Sequence, residues 1–435
     1  MPAEAADFAV PADLAPRSLD CDASGSRRGR FTPQELRSLA GRLQQHGPAA
    51  VDTIPVARRL ELWEQAIAAL LEPGSPERSA LLPRLLASAR LSAEGLTEGL
   101  EIVLGGASGS SAVDLAHRAR ALTGAVSDRL AGVVLAGNLP GLAVQSLLPA
   151  LLLGRPLLLK SASAEPWFAP ALVAALVARE PALADAYAAV AFSGDDAEAL
   201  AACFENVDPL LAYGGATAVA SLAGRFGTRL VAHGPKASIA FVGAGVDPLG
   251  TARGLARDIA LFDQRGCLSV QAVYTDCDPE ELAVALAWAL ALESARLPHG
   301  PIDPAIAAAV QQLRAEEELR NGRRQDPLMD LAAGTVLVER ETFFRPVPGL
   351  RTVRVHGVGN LTDVLPALAP WKGRLQGAAL AGPSALALSE TLALLGLSRL
   401  ARPGELQSAD ASWANGGIDP LAVFAGGNVG EPATS

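Results

Sequence analysis

The stretch from residue 131 to residue 160 reads AGVVLAGNLPGLAVQSLLPALLLGRPLLLK, and it decides the fold. It opens with a continuous apolar run, 131–137, which is typical of a buried parallel strand. A GNLPG turn follows, and then an apolar helix over 142–153, which Pro149 kinks or divides. A second buried strand is predicted for 154–160. Strand, turn, helix and strand at this spacing form a βαβ unit.

The same alternation continues along the chain. Further strands are predicted at 188–192, 209–213, 238–243, 268–276, 334–339 and 352–358. Helices are predicted between them at 167–179, 251–261 and 279–296. Helical patterns also fill residues 32–130, beginning at the N-cap Thr32. Several βαβ units in series predict an α/β fold with doubly wound parallel sheets.

Composition excludes several classes of function. The net charge of −10 argues against a nucleic-acid-binding surface or a polybasic membrane patch. The cleanest apolar run, 282–292, is shorter than the roughly 20 residues that cross a bilayer. The acidic start of the chain lacks a signal-peptide pattern, and the four cysteines contain no C-x-x-C pair. We therefore expect a cytoplasmic protein without a membrane span, a disulfide framework or a metal site.

Two polar residues stand at turns beside predicted strands. Cys267 follows a helix and precedes a strand, where nearby donors can lower a thiol pKa and make a nucleophile. Asn138 joins a strand to a helix and can donate to an oxyanion. Each residue also has a structural interpretation, because a lone cysteine is more often an inert buried group and asparagine is common in tight turns.

Other candidates lie at strand ends. The chain has only three lysines against 33 arginines, and Lys160 ends a predicted strand where ligands bind in α/β sheets. Gly214, Gly215 and Thr217 follow another strand, where backbone N–H groups can approach a pyrophosphate. Because no G-x-G-x-x-G pattern lies near these glycines, they are by themselves weak evidence for a dinucleotide site. His233 is either an acid/base group or a structural histidine.

Taken in order, these motifs resemble the aldehyde dehydrogenase superfamily, and its LuxC-type fatty acyl-CoA reductase branch above all. The resemblance spans residues 100–425. It rests on AGNLPGLAVQSLLPALLLGRPLLLKSASAEP (136–166), LAYGGATAVASL (211–222), VAHGPKASIAFV (231–242), LFDQRGCLSVQAVYTD (261–276) and SWANGGIDPL (412–421).

The resemblance implies a role for each candidate. Cys267 would be the nucleophile, and Asn138 with the Cys267 backbone N–H would form the oxyanion hole. Lys160 would bind the adenosine ribose of the cofactor, with Gly214, Gly215 and Thr217 beside its phosphates. It also implies two doubly wound domains and a small arm. Their predicted limits are 1–30 (flexible tail), 31–232 (dinucleotide-binding), 233–400 (catalytic) and 401–435 (C-terminal arm and tail).

Departures from the superfamily pattern refine these expectations. Ala232 stands where acid-forming members carry the glutamate that activates water, so hydrolysis of an acyl-enzyme should be slow. Ser163 stands where many NAD-specific members carry an acidic residue, which favours NADPH and leaves NADH possible. The later Glu-x-Phe clamp pairs either Glu341 with Phe343 or Thr342 with Phe344, and Phe344 is taken as the cofactor contact.

The expected activity is NADPH-dependent reduction of a fatty acyl-CoA to the aldehyde through an S-acyl-cysteine. Two alternatives stay open: reduction of a carrier-protein thioester or acyl phosphate on the same scaffold, and a non-catalytic acyl-binding subunit of a larger complex. The expected partners are an acyl thioester, an acyl-transferring protein and further copies of this chain.

Overall fold

Two parallel sheets organise the chain. The computed structural model describes residues 6–21, 27–122, 126–321 and 333–426. The strands are β1 (Ser18–Cys21), β2 (Arg27–Arg30), β3 (Ala131–Val134), β4 (Leu157–Ser161), β5 (Tyr187–Ala191), β6 (Leu210–Tyr213), β7 (Leu230–His233), β8 (Ala237–Val242), β9 (Val270–Thr275), β10 (Thr335–Glu339), β11 (Thr352–Gly357), β12 (Leu375–Ala381) and β13 (Arg399–Ala401).

Helices cover the faces of both sheets and build most of the amino-terminal part. They are α1 (Pro33–Asp52), α2 (Val56–Leu71), α3 (Pro76–Ser88), α4 (Ala93–Gly106), α5 (Ser110–Leu122), α6 (Val144–Leu153), α7 (Phe168–Val177), α8 (Ala197–Phe204), α9 (Ala216–Phe226), α10 (Pro248–Ala260), α11 (Pro279–Arg296), α12 (Pro304–Asn321), α13 (Leu365–Leu368), α14 (Pro383–Leu386), α15 (Ser389–Leu394) and α16 (Pro420–Ala425). Within the described ranges, no helix is both long and apolar enough to cross a membrane.

The first sheet has the order β5-β4-β3-β6-β7, with every neighbouring pair parallel. β3 and β4 are buried along their whole length, which explains their continuous apolar sequences. The chain builds outward from β3 in both directions. A crevice therefore opens at the carboxyl ends of β3, β4 and β6, where ligands bind in doubly wound sheets. The strand β7 of this sheet ends at His233. The predicted domain boundary at residue 232 therefore falls one residue before the end of the sheet.

The second sheet has the order β10-β11-β9-β8-β12-β13 and is also parallel. Its inner strand β12, between β8 and β13, is absent from the sequence prediction. The cause is its sequence, LQGAALA, whose glycine and alanines have low strand propensity. Gly377 is needed there, because a Cβ would lie 3.0 Å from the Arg399 carbonyl oxygen. The two parallel sheets confirm the predicted α/β fold.

The amino-terminal segment differs from the flexible tail predicted for 1–30. β1 and β2 form an antiparallel hairpin, and Ala9 pairs with Ala189 on the edge strand β5 through two backbone hydrogen bonds of 2.8 Å. An edge strand offers unpaired N–H and C=O groups, and the segment satisfies those of Ala189. The predicted start of α1 is confirmed, since Thr32 and Glu35 form a reciprocal capping box.

The carboxyl-terminal segment, residues 402–426, connects both halves of the molecule. The Asp258 carboxylate on α10 accepts hydrogen bonds from Gly404 N and Leu406 N. At its other end, Arg155 donates to the Phe424 carbonyl, and α16 packs against α6. This segment therefore crosses from the second sheet back to the first.

Candidate active site

Cys267 lies at the end of a loop with an unusual backbone. Phe262, Asp263 and Gln264 all have left-handed φ angles, of 57°, 51° and 59°. For residues other than glycine this conformation costs roughly 1–2 kcal/mol each. Such a conformation persists only where its surroundings hold it in place. The loop that delivers Cys267 must therefore be anchored by its neighbours.

Asp263 supplies one anchor behind the loop. Its carboxylate accepts from Arg351 Nη2 at 2.7 Å and from Gly300 N at 3.0 Å, and His299 Nδ1 lies 3.1 Å away. Burial alone would raise the pKa of Asp263. The close approach of the His299 ring and the Arg351 charge reverse that effect and hold the pKa below its usual value. Asp263 is therefore a charged partner for the buried Arg351.

Gln264 supplies the second anchor. Its Nε2 donates to the carbonyls of Val270 and Thr352 at 2.8 and 2.7 Å, and its Oε1 accepts from Thr352 N at 2.9 Å. We call Asp263, Gln264, His299, Arg351 and Thr352 the rear network. Sequence reasoning missed it. The polar Asp-Gln pair close before Cys267 was the available signal, but the partners lie up to 88 residues away.

Asn138 reaches the same loop from the first sheet. Its turn follows β3, and its side-chain Nδ2 donates to the Arg265 carbonyl at 3.0 Å. The Arg265 guanidinium in turn donates to the carbonyls of Ala89 and Arg90 at 2.7 and 2.6 Å. The structure therefore brings Asn138 and the Cys267 loop together across 127 residues. An amide has two N–H donors, so one remains beyond this bond.

Cys267 opens onto an apolar space that we call the front cavity. It lies between α4, α6, the ends of β6 and β7, and the carboxyl-terminal segment. Its walls include Val103, Leu139, Leu142, Leu148, Tyr213, His233, Phe262, Cys267, Leu268, Trp413, Ile418 and Phe424. Most of these side chains are hydrocarbon or aromatic, so the cavity suits an apolar ligand beside the thiol.

The carboxyl-terminal segment closes one side of the front cavity. Asn415 Nδ2 donates to Gln145 Oε1 on α6 at 2.8 Å, and Gln376 Nε2 of β12 donates to Asn415 Oδ1 at 2.9 Å. Asn415 thus links both sheets at the cavity edge. The sequence prediction of an arm over 401–435 did not anticipate this contribution to the site.

The pKa of the Cys267 thiol is raised, against the sequence expectation that donors near this turn lower it. Burial raises the pKa of Cys267 to about 11, although its own N–H, the Lys236 charge and the Leu268 N–H oppose the rise. Lys236 Nζ donates to the Gly373 carbonyl at 2.7 Å, and burial lowers the pKa of this lysine. The same groups that oppose the rise would stabilise a thiolate once the proton has left.

Two buried polar atoms in the cavity walls are unsatisfied. His233 stacks on Tyr213 with ring centroids 4.5 Å apart, and burial lowers the pKa of His233 to about 4, so its ring is neutral. Neither His233 Nδ1 nor Trp413 Nε1 has a hydrogen-bond partner among the described residues. Such atoms are costly to leave unpaired, and both side chains line the front cavity.

The predicted cofactor residues gather at the carboxyl ends of β4 and β6. Lys160 is 3% exposed, and burial lowers its pKa to about 8. No described residue accepts a hydrogen bond from its Nζ, which lies 5.3 Å from the Phe192 ring centroid. Ser163 is exposed on the same side.

Across β3, Gly215 caps α9 without any side-chain hydrogen bond, with Gly214 before it and Thr217 exposed in the first helical turn. A Cβ at Gly215 would meet nothing within 4 Å, so open space lies before the helix. The orphan ammonium and the open helix start fit the phosphates and ribose of a dinucleotide.

Phe344, the predicted cofactor contact, is almost fully buried. Its ring is 3% exposed and packs edge-on against Trp371, with centroids 4.8 Å apart, in the core of the second sheet. It does not line the front cavity. Phe343 is the exposed ring of the pair and lies beside the Arg345 guanidinium. Phe344 therefore offers little surface to a ligand, and its assignment as a cofactor contact stays a prediction.

Comparison with known proteins gives a family match over most of the chain. The family described as acyl-CoA reductase (LuxC) matches residues 120–425. The chain is similar to the long-chain acyl-protein thioester reductase of Aliivibrio fischeri, with 28% identity over 56% of this chain and 54% of the relative. Its counterpart in Photorhabdus laumondii is 27% identical over 66% of this chain and 61% of the relative. The chain therefore spans only half to three fifths of these relatives.

Solved structures share the fold at low sequence identity. Aldehyde dehydrogenase C of Pseudomonas syringae, solved with NAD+ and octanal, superposes with a TM-score of 0.69 at 13% identity, covering 92% of this chain and 90% of the other. Methylmalonate-semialdehyde dehydrogenase of Oceanimonas doudoroffii gives a TM-score of 0.69 at 14% identity, covering 96% and 95%. At such identities the likeness establishes the fold alone.

Proposed function

The chain belongs to the LuxC family of acyl-CoA reductases, and on this premise we propose that it reduces a fatty acyl thioester to the aldehyde with NADPH. The acyl group is carried on Cys267. One observation supports the proposal: the Cys267 thiol, with the backbone N–H groups of Cys267 and Leu268 beside it, opens onto a mostly apolar cavity. A hydrocarbon chain fills the cavity, and its carbonyl end meets the thiol.

In the first half of the reaction, Cys267 Sγ attacks the acyl carbonyl and a carbon–sulfur bond forms. The donor thiol leaves and takes the proton that Cys267 gives up, so no net charge is created. The oxyanion accepts from the second N–H of Asn138 and from the Cys267 backbone N–H. The Lys236 charge offsets part of the cost of the thiolate.

The chain offers a fitting place for a nicotinamide dinucleotide. Lys160 and Ser163 would hold the adenosine ribose, and Gly214, Gly215 and Thr217 would hold the phosphates. The bound cofactor supplies the hydride that reduces the acyl carbonyl. Ser163 leaves room for a 2′-phosphate where a carboxylate would repel it, so we propose NADPH as the reductant.

In the second half, the reduced carbon is a thiohemiacetal on Cys267. Its hydroxyl proton is lost, the carbon–sulfur bond breaks, and the aldehyde leaves while the thiol is restored. Ala232 brings no base to activate water. Among the described wall residues, Asp410 alone carries a carboxylate, and it is exposed. Hydrolysis of the acyl-enzyme is therefore slow, and the acyl group is reduced instead.

The test measures loss of NADPH absorbance with acyl-CoAs of increasing chain length. We expect chain-length-dependent oxidation, an acyl mass on Cys267, and complete loss of both in Cys267→Ala. Cys277→Ala is the matched control, because Cys277 is also a partly buried free thiol outside the front cavity. Normal reduction by Cys267→Ala would refute the mechanism.

A second candidate donor is an acyl group held as a thioester on a protein. The names of the curated relatives favour it, since they are long-chain acyl-protein thioester reductases. The chemistry at Cys267 is the same, and only the leaving thiol differs. Competition between an acyl-CoA and an acylated carrier protein, measured as relative kcat/KM, separates the two donors.

A further inference from the structure

Asn415 forms side-chain hydrogen bonds to both halves of the molecule at the edge of the front cavity. Its Nδ2 donates to Gln145 Oε1 on α6 at 2.8 Å, and its Oδ1 accepts from Gln376 Nε2 on β12 at 2.9 Å. Asn415 begins a short turn with Gly416 and Gly417, whose φ angles of 66° and 81° favour glycine. The Asn415 amide is therefore held from two sides.

The bond to Gln145 reaches the backbone that carries Asn138. Gln145 is the second residue of α6, and Asn138 lies in the turn directly before this helix. The turn continues into the helix through a hydrogen bond from Gln145 N to the Leu142 carbonyl at 3.2 Å. A displacement of Gln145 would therefore move Asn138 as well.

The bond to Gln376 reaches the backbone of Cys267. Gln376 is fully buried on β12, at the point where the register of this strand against β8 shifts. The next residue, Gly377, pairs with Ser238 on β8. Ser238 Oγ in turn donates to the Cys267 carbonyl at 2.8 Å. Asn415 is therefore linked through the second sheet to the residue that carries the thiol.

We propose that Asn415 is a positioning residue for the oxyanion hole, because its two bonds fix the Asn138 amide relative to the Cys267 backbone N–H. This role rests on the proposed function, in which both groups donate to the oxyanion. The two donors come from different halves of the molecule, so their spacing depends on contacts between these halves. Asn138 is exposed, so packing around its own side chain does little to hold it. Its bond to the Arg265 carbonyl and the bonds of Asn415 share this task.

The oxyanion hole depends on the exact spacing of its donors. A donor stabilises the developing charge when it lies about 2.7–3.1 Å from the oxygen. A misplacement of about 1 Å can lower the rate about 10²-fold. The turns that carry the two donors are already in contact, since a Cβ on Gly266 would lie 3.5 Å from Leu139 Cδ1. A shift of α6 would change this contact and carry the Asn138 amide away from the oxyanion.

Steady-state kinetics of the full chain with an acyl-CoA tests the role. Asn415→Ala should lower kcat roughly 10–100-fold. KM should change little, because the oxyanion develops only as the carbonyl is attacked. Ser412→Ala is the matched control and should keep the wild-type kcat. Ser412 is exposed on the same segment, and its hydroxyl bonds within that segment to Asp410.

The combination with Asn138→Ala separates positioning from a general structural role. If Asn415 acts through Asn138, adding Asn415→Ala to Asn138→Ala should lower kcat no further, within about twofold. A structural loss would appear equally in both backgrounds, and that result would overturn the proposal. So would an Asn415→Ala enzyme with the wild-type kcat. A wild-type kcat in Asn138→Ala would instead overturn the proposed mechanism, and the role of Asn415 with it.

Gln145→Ala removes the same hydrogen bond from its other end, and it replaces Asn415→Ala should that variant not fold. It should lower kcat to a similar extent, and this effect should again vanish in the Asn138→Ala background. Urea unfolding verifies that each variant is folded under the assay conditions. A wild-type kcat in Gln145→Ala, or an equal loss in both backgrounds, would contradict the proposal.

Discussion

The rear network lies behind the Cys267 loop and the front cavity lies in front of it, but the two are built differently. Behind the loop, Asp263 and Gln264 use their side-chain oxygens and nitrogens on partners from β9, β11 and the segment after α11. In front, His233 Nδ1 and Trp413 Nε1 have no partner within the described part of the chain. The loop is therefore fixed from behind, and two unsatisfied polar atoms belong to side chains that line the cavity in front of it.

This difference gives a rule that mutations can test. A change in the rear network removes contacts that the folded state already makes, so it should lower the free energy of unfolding. A change on the cavity side removes contacts made only with substrate, so it should lower activity at nearly constant stability. A variant that behaved in the opposite way would show that the two sides are not distinct.

The largest expected effect is that of Asp263→Ala. It leaves Arg351, which is 1% exposed, without its carboxylate partner. Breaking a buried ion pair by removing one member costs about 3–5 kcal/mol, and urea unfolding should show a loss of that size. The control is Glu61→Ala, which removes the exposed partner of Arg58 and should change stability little. A stable Asp263→Ala protein that had lost only activity would contradict the rule.

Asn138→Ala is expected to have the next largest effect, and it should lower activity rather than stability. Removing one oxyanion donor should lower kcat by ~10²–10³. The side chain is exposed and makes one hydrogen bond to the loop, so unfolding should change little. Steady-state kinetics and urea unfolding of the same preparation test both halves of this prediction. An unchanged kcat would remove Asn138 from the mechanism.

The rear network and the front cavity also differ in how far the sequence predicts them. The βαβ unit at 131–160 is readable because strand, turn and helix patterns are local, and the Cys267 and Asn138 turns were readable for the same reason. The pairing of Asp263 with Arg351 joins residues 88 apart, and no local pattern encodes it. The Asp-Gln pair alone does not reveal its partners.

Three other features were missed for physical reasons that differ. β12 is built from glycine and alanine and gains its strand form from flanking strands rather than from propensity. The hairpin β1–β2 lies in a segment without periodicity. The burial of Phe344 against Trp371 is a tertiary contact that its own segment does not encode. Tertiary context, which the local sequence does not contain, determined all three.

A smaller effect is expected from the cavity wall. Ile418 is partly buried in the carboxyl-terminal part of the wall, so Ile418→Phe should shorten the space for an acyl chain. The ratio of kcat/KM for long over short acyl-CoAs should fall about tenfold, the effect of one or two methylenes in a pocket. Leu386→Phe is a control on an exposed site outside the cavity. An unchanged ratio would mean that the acyl chain lies elsewhere.

The smallest effect concerns Lys160, where binding and stability should respond to pH with opposite signs. Burial lowers the pKa of Lys160 to about 8, with Cys203 and Asp195 opposing the shift. Above pH 8 the ammonium is lost, so NADPH affinity should fall by up to about tenfold per pH unit.

In the unfolded chain the lysine stays protonated to about pH 10.4. Between these values folding releases a proton, and the free energy of unfolding should rise with pH. Lys160→Met should abolish both slopes, measured by NADPH fluorescence titration and by urea unfolding from pH 7 to pH 9.5. If Lys160→Met kept the wild-type pH dependence of NADPH affinity, a group other than Lys160 would bind the cofactor.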